Sequence, residues 1–366
     1  WFVFASPYFL QEKVPYASKY QVNFFAPWSA YEKFWGPVKN NAMPDVHTQI
    51  YPWKKITIDT YKSGQIPLWN PYNFAGNPHL ANFQSAVLSP FNILFFILPF
   101  IDAWSIIILL QPLLAGLFTY LLMREFKVSK TGSLIASIPF MFCGFMVVWM
   151  AYGTLSMSIA FLPLVLFGIE RSFKKVSWLS IASISLGLAL SFFSGHFQTS
   201  LYLLMFALAF FIFKSISIKN PRTSILVLLA IFLGIALSLF QLVPSIRLYL
   251  NSVRSEIFIK EGGIPFYYLI NIFAPDFFGN PVTRNDWFGF YAEWASFVGI
   301  APLLLSLIAI FQRKNVISIF FIGAGITALI LALDSPIQLL IGFLKIPVLS
   351  TSNPSRVIVL FSFSLA

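Results

Sequence analysis

Asp45, His47, Gln49 and His79 lie in one polar stretch, residues 43–84, which reads MPDVHTQIYPWKKITIDTYKSGQIPLWNPYNFAGNPHLANFQ. Two of the chain's three histidines are there. If Pro44 opens a short helix, Asp45 and Gln49 share a face four residues apart. A carboxylate beside an amide can take a proton from a bound hydroxyl while the amide orients the ligand. An Asp just ahead of a helix is also a common N-cap, and both readings stay open here. The prolines of Gln65-Ile66-Pro67-Leu68-Trp69-Asn70-Pro71 exclude a regular helix. That segment is a shaped loop whose Trp69 and Asn70 either line a carbohydrate site or wedge at lipid headgroups. Gly76-Asn77-Pro78-His79, followed by Gln84, is a second polar knot, with glycine suited to a tight turn.

Further along, Ser194-Gly195-His196-Phe197-Gln198 sits between two apolar runs. His196 there is either an interfacial anchor or, at the mouth of a helix bundle, part of a site. Residues 245–294 form a second long polar connection. Its Arg247, Arg254 and Arg284 suit a phosphate, which Arg holds bidentately. Asp276 and Asp286 flank an aromatic pair, and Glu293 precedes the next apolar run. Arg356 opens the last apolar run and calls for a partner such as a lipid phosphate. Asp45, His47, His79 and His196 are potential ligands, but their spacing fits no zinc signature. No Gly-rich nucleotide loop and no serine nucleophile elbow occurs.

The elements that carry these residues are membrane spans. The chain is 58% hydrophobic and only 10% charged, with 43 Phe, against roughly 25% charged in soluble domains. Eight apolar segments read as complete spans, with ends placed to within a few residues: about 103–123, 133–150, 151–169, 178–194, 199–213, 224–243, 295–312 and 316–333. Every second connection is short and basic: Arg124, Lys127 and Lys130; Arg171, Lys174 and Lys175; Lys214, Lys219 and Arg222; Arg313 and Lys314. These connections hold only two acids, Glu125 and Glu170. That alternation marks them as cytoplasmic and puts residues 5–102, 195–198, 245–294 and 334–355 outside. It also explains the net charge of +11 without nucleic acid.

Residues 86–100 and 336–346 are too short to span and read as re-entrant or interfacial helices. The Trp- and Tyr-rich first loop is expected to lie on the membrane as short helices. Residues 1–102 thus form one part, the end of a first span plus the outer loop. Residues 103–366 form the helix bundle, closing on a partial last span. Both ends read as cuts within a longer protein. The single cysteine, Cys143, excludes an intrachain disulfide. The fold class is an all-α polytopic membrane protein.

The order Asp45-x3-Gln49-x2-Pro52, GQIPLWNPYNFAGNP, SGHFQ, APDFFGNP, AEWASFVGIAPLLLSLIA and NPSRVIVL resembles the YfhO family of bacterial membrane proteins, within the GT-C glycosyltransferase superfamily. The resemblance implies a GT-C-like bundle in the bacterial cytoplasmic membrane, with its site on the extracytoplasmic face. It implies an enzyme that takes sugar from a polyprenyl-phosphate donor and passes it to an envelope glycan or similar acceptor. Asp45 matches the expected catalytic acid of the first outer loop and would serve as general base in an inverting transfer. Gln49, His79, His196 and Gln198 would position the sugar, and the outer arginines would face the lipid phosphate. No cofactor is implied, and the lack of a DxD pair leaves a divalent metal open. A lipid flippase would instead keep ionisable groups deep in its spans. A non-catalytic assembly protein would not need Asp45.

Overall fold

The computed structural model describes residues 1–36, 44–257, 262–281, 283, 288–311, 316–346 and 348–366. Arg284, Asp286, Arg313 and Lys314 lie outside the described residues. Helices α1 (Phe2–Gln11), α2 (Ser18–Phe24), α3 (Tyr51–Lys62) and α4 (Leu94–Ile97) belong to the first part of the chain. The bundle consists of α5 (Phe100–Glu125), α6 (Lys130–Met141), α7 (Gly144–Trp149), α8 (Leu155–Ala160), α9 (Leu162–Lys174), α10 (Trp178–Phe193), α11 (Phe197–Ile218) and α12 (Pro221–Leu250). It continues with α13 (Ile300–Phe311), α14 (Val316–Ala332), α15 (Pro336–Phe343) and α16 (Ile358–Leu365). The described strands are β1 (Trp69–Asn70) and β2 (Asn77–Pro78), paired antiparallel. The fold is all-α and polytopic.

Each of the eight expected spans contains helix, but those expected at 178–194, 295–312 and 316–333 hold shorter apolar helices (Trp178–Phe193, Ile300–Phe311 and Val316–Ala332). Residues 100–125, 155–174, 197–218 and 221–250 are long and apolar enough to cross a membrane. Helices α6 and α7 form a fifth, bent by 54°. The bend is where the unbroken hydropathy of residues 133–150 misleads. Pro139 deprives the last turn of α6 of a ladder donor. Gly144 restarts the helix with its N–H on the Phe297 carbonyl at 2.8 Å. The expected third span begins only at Leu155, after Gly153 closes the preceding turn at φ +68°. Residues 86–100 are a 3-10 turn (Pro90–Ile93) plus the four-residue α4, and residues 336–346 hold α15.

The two ends of the bundle differ. At one end, Glu125 at the close of α5 pairs with Arg171 (3.1 Å) and Lys174 (3.2 Å). Glu170 pairs with Lys214 of α11 (2.8 Å) and Lys174 (3.5 Å). The two acids of the basic connections are therefore both consumed as counter-charges between helices. Glu170 and Lys214 are buried, so removing one partner strands the other. Glu170→Ala is expected to cost about 3 kcal/mol, read as a lower unfolding midpoint in detergent. The Glu170→Met/Lys214→Met pair should recover most of it; no recovery would mean that the pair does not hold these helices.

The long loops gather at the other end. There α3 lies against the bundle through Tyr51, which meets Trp104 and Phe100 at 5.3 and 5.1 Å. Helix α12 spans 30 residues, about 45 Å at 1.5 Å per residue. That exceeds a hydrocarbon core of about 30 Å. Near its far end Gln241 donates to the Leu80 carbonyl at 2.8 Å, tying the first loop to the bundle.

Candidate functional site

Asp45 opens a π-helical turn, Val46–Ile50, that runs into α3. Such turns recur at functional sites because they displace side chains from the regular ladder. The Asp45 side chain makes no capping bond. One carboxylate oxygen instead accepts from Gln49 Nε2 at 3.1 Å, the same-face pairing expected from their spacing. The other faces the Tyr152 hydroxyl at 3.4 Å. Among the described residues Asp45 has no basic partner. It is a half-buried carboxylate held by neutral donors.

Tyr152 stands at the end of the bent span, and its ring lies 5.3 Å from that of Trp149. The Arg356 guanidinium sits 4.9 Å over Trp149. Arg356 needs a partner, and that partner is a protein group: Nε and Nη2 fork onto the Glu293 carboxylate at 2.9 and 2.5 Å. Its third nitrogen faces Gln198 Oε1 at 3.3 Å and His196 Nε2 at 3.5 Å. Gln198 also donates to the Tyr202 hydroxyl and the Asn353 carbonyl, both at 2.7 Å. Residues from the first loop, α7 and the turn after it, the α10–α11 turn, the segment before α13 and the turn before α16 thus form one polar chain, which runs from Asp45 through the ring contact of Tyr152 with Trp149 to Arg356.

His196 caps α11, with Nδ1 accepting the Thr199 N–H at 3.3 Å. Burial, then the guanidinium groups of Arg356 and Arg254, hold its imidazole well below the usual range, so the ring is neutral at pH 7. Gly195 makes this turn possible. It sits at φ +97°, and an added Cβ would lie 2.8 Å from Ala86 Cβ and 3.2 Å from the Phe83 carbonyl. Gly195→Ala forces either strain or retreat of the first loop. It is expected to lower any activity of the site about 10²-fold through misplacement, with a lower unfolding midpoint. Unchanged activity would show that the contact between loop 83–86 and this turn is dispensable.

The other expected residues have separate settings. Trp69 is half-exposed and packs against Gly76. Asn70 is buried and accepts the Tyr72 N–H at 2.9 Å, which closes the turn. His79 is buried on the Thr57 hydroxyl at 2.8 Å. Gln84 lines a narrow cavity with Lys54 and Tyr152. His47 packs between Tyr16 and Tyr20 and bonds Ala17 O. The three histidines are thus apart, and no three His, Cys, Asp or Glu converge as a metal-ligand group among the described residues. Arg247 and Arg254 are exposed, without ion-pair partners among the described residues.

Burial lowers the His79 pKa to about 4, with the Lys54 charge adding to the shift. A depressed histidine pKa contributes stability above the unfolded value of about 6.5. That contribution is lost as pH falls through 6.5 towards 4. The unfolding midpoint of the wild type should therefore drop more steeply over that range than that of His79→Gln. Parallel slopes would mean that His79 takes up its proton as readily in the folded as in the unfolded chain.

Residues missed in the sequence are Trp149, Tyr152 and Tyr202, all inside runs read as span. A signal was present: the two expected spans abut at Met150-Ala151 with no loop between them, so the chain around that point must lie at a bundle end. Residues 55–343 match the family described as bacterial membrane protein YfhO. The chain belongs to the YfhO family. No curated protein and no solved structure matches it. Within this YfhO-family chain, His79, His196, Gln198 and Glu293 fall inside the matched stretch, while Asp45, Gln49 and Arg356 flank it.

Proposed function

We propose that the loop-end site transfers a sugar from a polyprenyl-phosphate donor to a hydroxyl of an envelope glycan, on the extracytoplasmic face of the bacterial cytoplasmic membrane. The observation that carries this reading is the Asp45 carboxylate, free of any cationic partner among the described residues, on the same polar chain as the half-buried Arg356–Glu293 pair. The acceptor hydroxyl gives its proton to Asp45 as its oxygen bonds the anomeric carbon. The bond from that carbon to the phosphate oxygen breaks, and polyprenyl phosphate leaves with the electron pair. Attack from the face opposite the phosphate inverts the anomeric centre. The leaving phosphate needs positive charge more than a proton. Arg254 and Arg247 are the exposed cations for it; Arg356 adds the positive charge of the polar chain itself. Gln49, His196 and Gln198 orient the sugar.

The lipid tail of such a donor calls for an apolar groove. An apolar cavity of about 450 Å³ runs between α11, α14 and α15, and Tyr202 and Pro354 are among its lining residues. Tyr202 joins this cavity to Gln198 and so to the polar chain. Ligand pockets fall in this size range. The site draws on no soluble nucleotide-sugar, in keeping with a sequence that has no nucleotide loop.

The test supplies radiolabelled polyprenyl-phosphate sugars to membranes holding the wild type or Asp45→Asn at equal insertion. Label on an envelope acceptor with the wild type alone supports the reading. Equal labelling by both shifts the base to Glu293 or Asp276. Lipid that changes leaflet with no transfer replaces the reading with a flippase.

A further inference from the structure

Helix α7 has two faces. Phe145 and Trp149 turn towards the bundle and Arg356, whereas Gly144, Val147 and Val148 line a separate cavity of about 240 Å³. The far wall comes from Asn271, Asp276, Asn280, Tyr291 and Ser296. Two of these polar groups are buried and unpartnered among the described residues. Asn271 is 3% exposed and donates its amide to the Pro275 carbonyl at 2.9 Å, which leaves Oδ1 without a donor. Ser296 is 1% exposed, and its hydroxyl has no partner. Each such group costs free energy unless something satisfies it.

The wall also sets the ligand's chemistry. Asp276 Oδ1 already accepts from Asn280 Nδ2 at 3.0 Å and from the Tyr291 hydroxyl at 3.1 Å, so the carboxylate works with neutral donors. Burial, then the Asp276 charge, raises the Tyr291 pKa and keeps that hydroxyl protonated. Among the described residues no cationic side chain lines the cavity, which disfavours a phosphate. The remaining surface, from Phe142, Val147, Val148, Pro275 and Phe297, is apolar. Acceptors spaced around apolar walls match a ring that carries hydroxyl donors at its rim and C–H groups on its faces.

We propose that this cavity is a second ligand site that takes one uncharged pyranose unit, separated from the Arg356 cluster by α7. The inference stands apart from the transfer reading, because binding is measured with no donor present.

Saturation-transfer NMR and calorimetry on the full chain in nanodiscs, with methyl glucopyranoside, galactopyranoside and N-acetylglucosaminide, test it. At least one glycoside should bind saturably. Asp276→Asn and Ser296→Val should each weaken it tenfold or more, and Asp45→Asn should leave it unchanged. Val147→Phe fills the cavity from a partly exposed position and should also weaken binding tenfold at an unchanged unfolding midpoint. The proposal falls if no glycoside binds, or if binding answers to Asp45→Asn but not to the cavity variants. It falls also if ethylammonium binds there in place of sugar.

Discussion

Asp45→Asn is expected to lower sugar transfer by about 10²–10⁴, the usual contribution of a positioned general base. The replacement keeps the shape and the Gln49 contact, while towards Tyr152 its amide donates where the carboxylate accepted. It removes the negative charge and with it the capacity to take a proton. Because the carboxylate caps no helix and holds no ion pair among the described residues, the unfolding midpoint should move by less than about 0.5 kcal/mol equivalent, as for substitutions away from special features. Loss of transfer together with loss of stability would instead make Asp45 a structural residue. Asp45→Glu restores the acid but lengthens it by a methylene, and partial activity is expected from it.

Arg356 should be the second most sensitive position. Arg356→Gln removes the positive charge nearest the polar chain and is expected to cost about 10²–10³ in transfer rate. It also leaves Glu293, with a side chain only 17% exposed, without its counter-charge, at about 3 kcal/mol. The two effects separate in the double variant Glu293→Gln/Arg356→Gln, which should regain stability but not transfer. If it regains transfer as well, the pair is a staple and nothing more. Arg356→Lys should not rescue either property. An ammonium cannot fork onto Glu293 while lying flat over Trp149.

The spans were legible because hydropathy and alternating basic loops are properties of composition, and both survive folding unchanged. The break at Phe142-Cys143 was not, since an apolar run looks the same whether its backbone bends or continues. Pro139 and Gly144 were its only marks. Asp45, Gln49, His196, Gln198, Glu293 and Arg356 were all visible as polar residues at loop positions, and five chain segments bring them together. Their pairing was invisible, since nothing in spacing joins residues 293 and 356. The sequence placed Asn70 and His79 beside the others by type alone. In the fold one closes a turn and the other braces Thr57.

The polar chain begins at residue 45 and is completed by residue 356, at the entry to α16. A ribosome therefore makes the carboxylate long before the guanidinium, with helices α3 to α15 synthesised between them. Until residue 356 emerges, the nascent bundle holds Asp45 without its distant cation, and Glu293 waits without its fork. A chain released before Arg356 carries α5 to α15 but an unfinished centre. Synthesis of the segment that bears Arg356, rather than insertion of any earlier helix, is the moment at which this site comes into being.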